Sequence, residues 1–89
     1  MAAWTIVYHA EALEDLDRLP ENWKARIVKK VKLLAENPYA LNNNVKALKG
    51  MENRTYRLRV GDWRVIYELR DGIVVILVLR IGSRGSVYE

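Results

Sequence analysis

Tyr56-Arg57-Leu58-Arg59-Val60-Gly61-Asp62-Trp63-Arg64-Val65-Ile66-Tyr67-Glu68-Leu69-Arg70-Asp71-Gly72-Ile73-Val74-Val75-Ile76-Leu77-Val78 is the stretch that decides the fold of this 89-residue chain. Gly61-Asp62 and Asp71-Gly72 have the composition of two-residue hairpin turns, because glycine beside aspartate tolerates the backbone such turns need. They divide residues 55–81 into three strands of an antiparallel meander. A two-residue loop fixes register. Val60 is expected opposite Trp63, Arg59 opposite Arg64, Leu58 opposite Val65 and Arg57 opposite Ile66. Beyond the second turn, Leu69 is expected opposite Val74, Tyr67 opposite Ile76 and Val65 opposite Val78.

Alternation then sorts the side chains into two faces. Tyr56, Leu58, Val60, Trp63, Val65, Tyr67, Leu69, Val74, Ile76 and Val78 share an apolar face that must receive the rest of the chain. Arg57, Arg59, Arg64, Ile66, Glu68, Val75, Leu77 and Leu79 share the other. Three arginines therefore fall on one face, with Arg59 directly across from Arg64. Like charges at such a pair destabilise a sheet. Glu68 can offset one of them, but three together point to an anion site, and arginine pairs with phosphate in bidentate fashion.

Working outward, Trp4-Thr5-Ile6-Val7-Tyr8 reads as a first strand. Leu13 and Leu16, among Glu11, Glu14, Asp15 and Asp17, suit a short amphipathic helix. Pro20 opens a second helix at its first turn. Trp23, Ile27, Val31 and Leu34 make its apolar stripe, Lys24, Lys29, Lys30 and Lys32 cover its other sides, and Asn37-Pro38 ends it. An acidic helix followed by a basic one reads as an antiparallel hairpin with complementary charge. His9, at the start of the first helix, reads as structural. The fold class is α+β: an N-terminal strand, an antiparallel helix hairpin and a three-stranded antiparallel meander, in one domain spanning 1–89.

Composition narrows the function. There is no cysteine and one histidine, so neither a disulfide framework nor a metal cluster is expected, and no cofactor is implied. The longest apolar run, Ile73–Leu79, is too short to span a membrane, and no secretory signal is visible, so a cytoplasmic protein is expected. Of the net charge of +4, residues 1–44 contribute nothing, with six basic and six acidic side chains. Residues 45–89 hold nine basic side chains, seven of them arginine, against five acidic. In the C-terminal segment Gly82 and Gly85 bracket Arg84, and Tyr88 is an aromatic in a polar stretch, of the kind that stacks on unpaired bases. Strict alternation would put Arg84 on the core face. A bulge or a strand end near Gly82 is needed to bring it to the arginine face.

The order of elements, with Ala12-Leu13-Glu14-Asp15-Leu16, Leu33-Leu34-Ala35-Glu36-Asn37-Pro38, Val45-Lys46-Ala47-Leu48-Lys49-Gly50, Tyr56 to Tyr67, and Ile81-Gly82-Ser83-Arg84 with Val87-Tyr88, resembles the RelE/ParE toxin superfamily over nearly the whole chain. For RelE-type members the resemblance implies a metal-independent endoribonuclease, the toxin of a type II toxin–antitoxin pair. Such toxins cleave messenger RNA in the ribosomal A site and are restrained by a cognate antitoxin. By motif, Arg64, Arg84 and Tyr88 fall at catalytic positions, and Arg57 and Arg59 at RNA- and phosphate-binding ones. The family often has lysine where Arg57 and Arg59 stand, and His or Lys where Ser83 stands, so the general base is not identified. ParE-type relatives share the scaffold and poison DNA gyrase, which is the alternative activity; a module that binds RNA or antitoxin with weakened catalysis is another.

Overall fold

The structure, a computed structural model, describes residues 4–39, 44–48 and 54–83. The chain runs β1 (Thr5–Tyr8), α1 (Ala10–Asp17), α2 (Glu21–Glu36), β2 (Val45–Ala47), β3 (Thr55–Val60), β4 (Trp63–Arg70) and β5 (Val75–Ser83). The strands form one five-stranded mixed sheet in the order β1-β5-β4-β3-β2. β1 is parallel to β5, and every other pairing is antiparallel. The α+β reading is therefore correct, and the meander is its centre. The sequence reading missed β2, a three-residue strand on the edge beside β3. No helix is long and apolar enough to cross a membrane.

The first hairpin has the expected register: Val60 with Trp63, Arg59 with Arg64, Leu58 with Val65 and Arg57 with Ile66. Gly61 has φ +60° and Asp62 does not, the pattern of a type II′ turn. The ring edge of Trp23 lies so close to Gly61 that a Cβ there would sit 2.5 Å from Cη2. Glycine is thus required twice over, by conformation and by space.

The second connection departs from expectation. Asp71–Ile73 form a short 3₁₀ turn, and Val74 takes a left-handed conformation with φ 56°. Four residues therefore link the strands, so Leu69 pairs with Ile76 and Tyr67 with Val78. The cause lies in Asp71, whose carboxylate accepts from Tyr39 Oη at 2.9 Å and pairs with Arg54, tying the turn to the end of α2 and the start of β3. A shift of two residues keeps each side chain on its expected face. The exception is Val74, expected in the core, which lies in the turn at 42% exposure.

A second irregularity does change faces. Tyr67 pairs with Val78 but Ile66 pairs with Arg80, leaving Leu79 as an extra residue in β5. The bulge brings Ile81 into the core at 3% exposure, opposite Val65, where Val78 was expected.

Helix packing on the apolar face is led by Ile27, Val31 and Leu34 of α2, with Trp23 partly buried, as the stripe implied. α1 is rotated from its expected orientation. Leu13 is 49% exposed, whereas Ala12, Asp15 and Leu19 are buried. Small Ala12 lets α1 sit close to the sheet, and Asp15 is drawn inward by ion pairing with β5. His9 caps α1, its Nδ1 accepting from the Glu11 amide at 3.3 Å, the structural role expected of it.

Candidate functional site

β3 and β4 bring Arg57, Arg59 and Arg64 to the face away from the helices. Their environments differ. Arg59 is exposed and Arg57 half-buried, whereas Arg64 is buried at 7% exposure. Arg59 donates from Nη2 to Asn44 Oδ1 at 3.4 Å. Arg64 turns toward its own hairpin, Nη1 donating to the carbonyls of Gly61 at 3.4 Å and Trp63 at 3.3 Å. The cross-strand pair thus sends its two guanidinium groups to different acceptors, which relieves the repulsion their register implies. Glu68 pairs with Arg70 along its own strand, Arg70 Nε to Oε1 at 2.8 Å.

The face is less polar than alternation alone conveys. Ile66, with Arg57 on one side and Arg80 on the other, is completely buried. Arg64 pairs with Gly82, which contributes no side chain beside it. Lys46 on β2 lies directly opposite Arg57 and is exposed, adding a fourth cation to the row. Lys46 was missed because a three-residue edge strand leaves almost no periodic signal; Val45-Lys46-Ala47 between polar flanks was its only mark.

The bulge has its own support. Asp15, buried at 8% exposure, accepts from Arg80 Nε at 2.8 Å and Nη2 at 3.3 Å, and from the Ile81 amide at 2.9 Å. Burial pushes the Asp15 carboxyl up, but the hydrogen bonds from Arg80 and Ile81 and the charges of Arg80 and Arg18 outweigh it and hold the group below its ordinary value. Glu11 lies 3.8 Å from Arg80 as well. The acidic side of α1 is therefore paired with β5, and the charge complementarity expected between the two helices is not where these carboxylates go. The bulge that the sequence required near Gly82 occurs three residues earlier, at Leu79. Arg84 and Tyr88, the remaining sequence candidates, lie outside the described residues.

Arginine stays protonated at any physiological pH, so Arg57, Arg59 and Arg64 can bind and polarise an anion but cannot take up a proton. A fixed row of such cations on a rigid sheet suits a phosphodiester.

The fold and this face define a small α+β protein with a cationic sheet face, built on the plan of the type II toxins. The sequence model of the family described as "ParE toxin of type II toxin-antitoxin system, parDE" matches residues 6–88, and the chain belongs to the RelE/ParE family of type II toxins. It is 35% identical over 81 residues to the toxin RelE of Mycobacterium tuberculosis, covering 90% of this chain and 80% of that protein. Its fold superposes with a TM-score of 0.81 on a chain of the archaeal RelE–RelB complex from Pyrococcus horikoshii, at 27% identity over 97% of this chain and all of that one. For a chain of the toxin–antitoxin complex RelBE2 from Mycobacterium tuberculosis the score is 0.78, at 25% identity over 93% of this chain.

Proposed function

We propose that this toxin is a ribosome-dependent endoribonuclease that cleaves messenger RNA in the A site and so stops translation in the cytoplasm. The observation that carries the proposal is the convergence of Arg57, Arg59 and Arg64 on one sheet face, with Lys46 beside Arg57. The messenger's own 2′-oxygen attacks the neighbouring phosphorus, the bond from phosphorus to the 5′-oxygen breaks, and a cyclic 2′,3′-phosphate and a 5′-hydroxyl result. Arg57 and Arg59 bind the phosphate. Arg64, held by two carbonyls and barely exposed, contributes chiefly the field of a preorganised cation. Arg84 stabilises the leaving oxygen and Tyr88 stacks on or orients a base. The proton of the 2′-hydroxyl passes to a general base, Tyr88 or a group of the ribosome, and the leaving 5′-oxygen takes up a proton from a general acid of the ribosome or from water, with Arg84 holding its charge meanwhile. No metal or cofactor has a part in the scheme.

The toxin's partner is a cognate antitoxin, as in the two complexes named above. It is expected to be acidic where it meets the cationic face and to order as it binds. Primer extension on messenger translated in the presence of the chain tests the activity. New ends within codons, formed only where ribosomes are present, are expected. Intact messenger together with inhibited gyrase supercoiling would instead establish the ParE activity after which the matching family is named. Arg57→Gln is expected to lower cleavage by about 10²-fold, as the loss of one oxyanion-stabilising donor does.

A further inference from the structure

The lysines of α2 are left without the helix-to-helix role their sequence implied, since the inward acid of α1 is committed to β5. Two of them, Lys29 and Lys30, line something else. Between α2 and the β3–β4 hairpin runs a groove of about 400 Å³ bounded by Trp23, Arg26, Lys29, Lys30, Leu33 and Arg59, together with Asn44 and Gly61. A smaller cavity of about 170 Å³ extends it past Lys30 and Arg59 toward the end of α2. Four cations line the larger cavity, and among the described residues no carboxylate does. Arg26 is held over the Trp23 ring, its Cζ 4.9 Å from the centroid, so its charge is already fixed in place. Arg26 and Lys30 are one helical turn apart, about 6 Å along the axis, a separation comparable with that of successive phosphates on a strand.

We propose that this groove is a second docking surface, taking the phosphate backbone of an RNA strand that is not the one cleaved. The choice of RNA rests on the RNA-cleaving activity proposed above; the groove's anion preference does not. An acidic protein segment would need apolar anchors for tight binding, and the groove has few to give. Val60, Leu34, Val45 and Leu58 are already buried to between 5% and 7% exposure, the half-buried Trp23 has Arg26 over its ring, and Leu33, at 51%, stands out. Phosphate binding needs no such anchors, because counterion release supplies the affinity. Arg59 lies at the junction of the groove and the arginine face, so one RNA assembly can engage both.

The test is fluorescence anisotropy with labelled oligouridylate across a salt series, comparing the parent with an Arg26→Gln, Lys29→Gln, Lys30→Gln triple variant. All three side chains are exposed and the one contact given up is that of Arg26 with Trp23, so the fold should survive with a melting temperature lower by a few degrees at most. The magnitude of the slope of log Kobs against log salt should fall by about 2, since each lost phosphate contact on a single strand removes about 0.7. Lys30→Glu alone should weaken binding further than Lys30→Gln. An unchanged slope in the triple variant would overturn the inference, and so would displacement of the RNA by polyglutamate at a lower concentration than by unlabelled RNA. The readout involves no cleavage. A parent that fails to cut messenger but loses RNA affinity in the triple variant sinks the nuclease proposal and keeps the groove; the converse pattern does the reverse.

Discussion

Asp15→Asn should unlock the bulge in β5. The native carboxylate takes two hydrogen bonds from Arg80 and one from the Ile81 amide, which the bulge has freed from the ladder. Asparagine keeps the shape and one acceptor oxygen but loses the charge and brings an N–H₂ toward donors. A hydrogen bond to a charged group is worth about 1.5–3 kcal/mol. The Arg80 side chain is 38% exposed, so solvent screens its share. A net loss of about 2 kcal/mol follows for the set. With a urea m-value of about 1 kcal/mol/M for a chain this small, the midpoint should fall by about 2 M at pH 7. The acid limb supplies the check on cause. A carboxyl held low in the folded state contributes its full stability above its unfolded pKa, about 3.9, and loses it as pH falls through the lower folded value. The difference between parent and variant should therefore be complete at pH 7 and shrink below about pH 4. Equal midpoints at pH 7, or a difference that persists undiminished in acid, would refute the role given to this carboxylate.

Gly61→Ala should cost about 2 kcal/mol or more, because the left-handed backbone alone costs about 1–2 and the new methyl meets Trp23; a lowered melting temperature with altered tryptophan fluorescence is expected. Val74→Gly should raise the melting temperature, since a β-branched residue at φ 56° is strained and its side chain is 42% exposed, leaving little burial to lose; a gain of about 1 kcal/mol is expected. Tyr67 is fully buried, its hydroxyl has no hydrogen-bond partner among the described residues, and burial pushes that hydroxyl far above its ordinary pKa. Tyr67→Phe should therefore stabilise by about 1 kcal/mol, a rise of about 4–8 °C for a domain of this size. Arg64→Ala should lower stability as well as toxicity, because Arg64 holds two carbonyls of the hairpin; urea melts read beside growth assays separate the two effects.

Local signals were legible in the sequence, and long-range ones were not. Gly61-Asp62 fixed the hairpin, and with it the grouping of Arg57, Arg59 and Arg64, because a two-residue turn determines register by itself. Asp71-Gly72 looked equivalent but was overruled by contacts with Tyr39 and Arg54, which lie 32 and 17 residues away in sequence. The α2 stripe was readable over sixteen residues of regular spacing. The face of α1 was not, because the residue that orients it is a buried acid whose partners are on β5. Leu13 is the apolar residue that period analysis favours, and it faces solvent. β2 carried no readable pattern, and Lys46 was lost with it. The burial of Arg64 was hidden for a related reason: alternation assigns a face and says nothing of how deeply a side chain is buried on it.

The pairing of β1 with β5 joins Thr5 to Val75 and Tyr8 to Val78, the most distant sequence neighbours in the sheet. β5 is also the strand that joins β1 to β4, and it follows every other element along the chain. A nascent chain that has released its two helices and the first hairpin still has no partner for β1, so the sheet closes only when β5 emerges. Closing the sheet therefore requires joining strands some seventy residues apart, Thr5 to Val75, which makes it the slow, non-local step of folding.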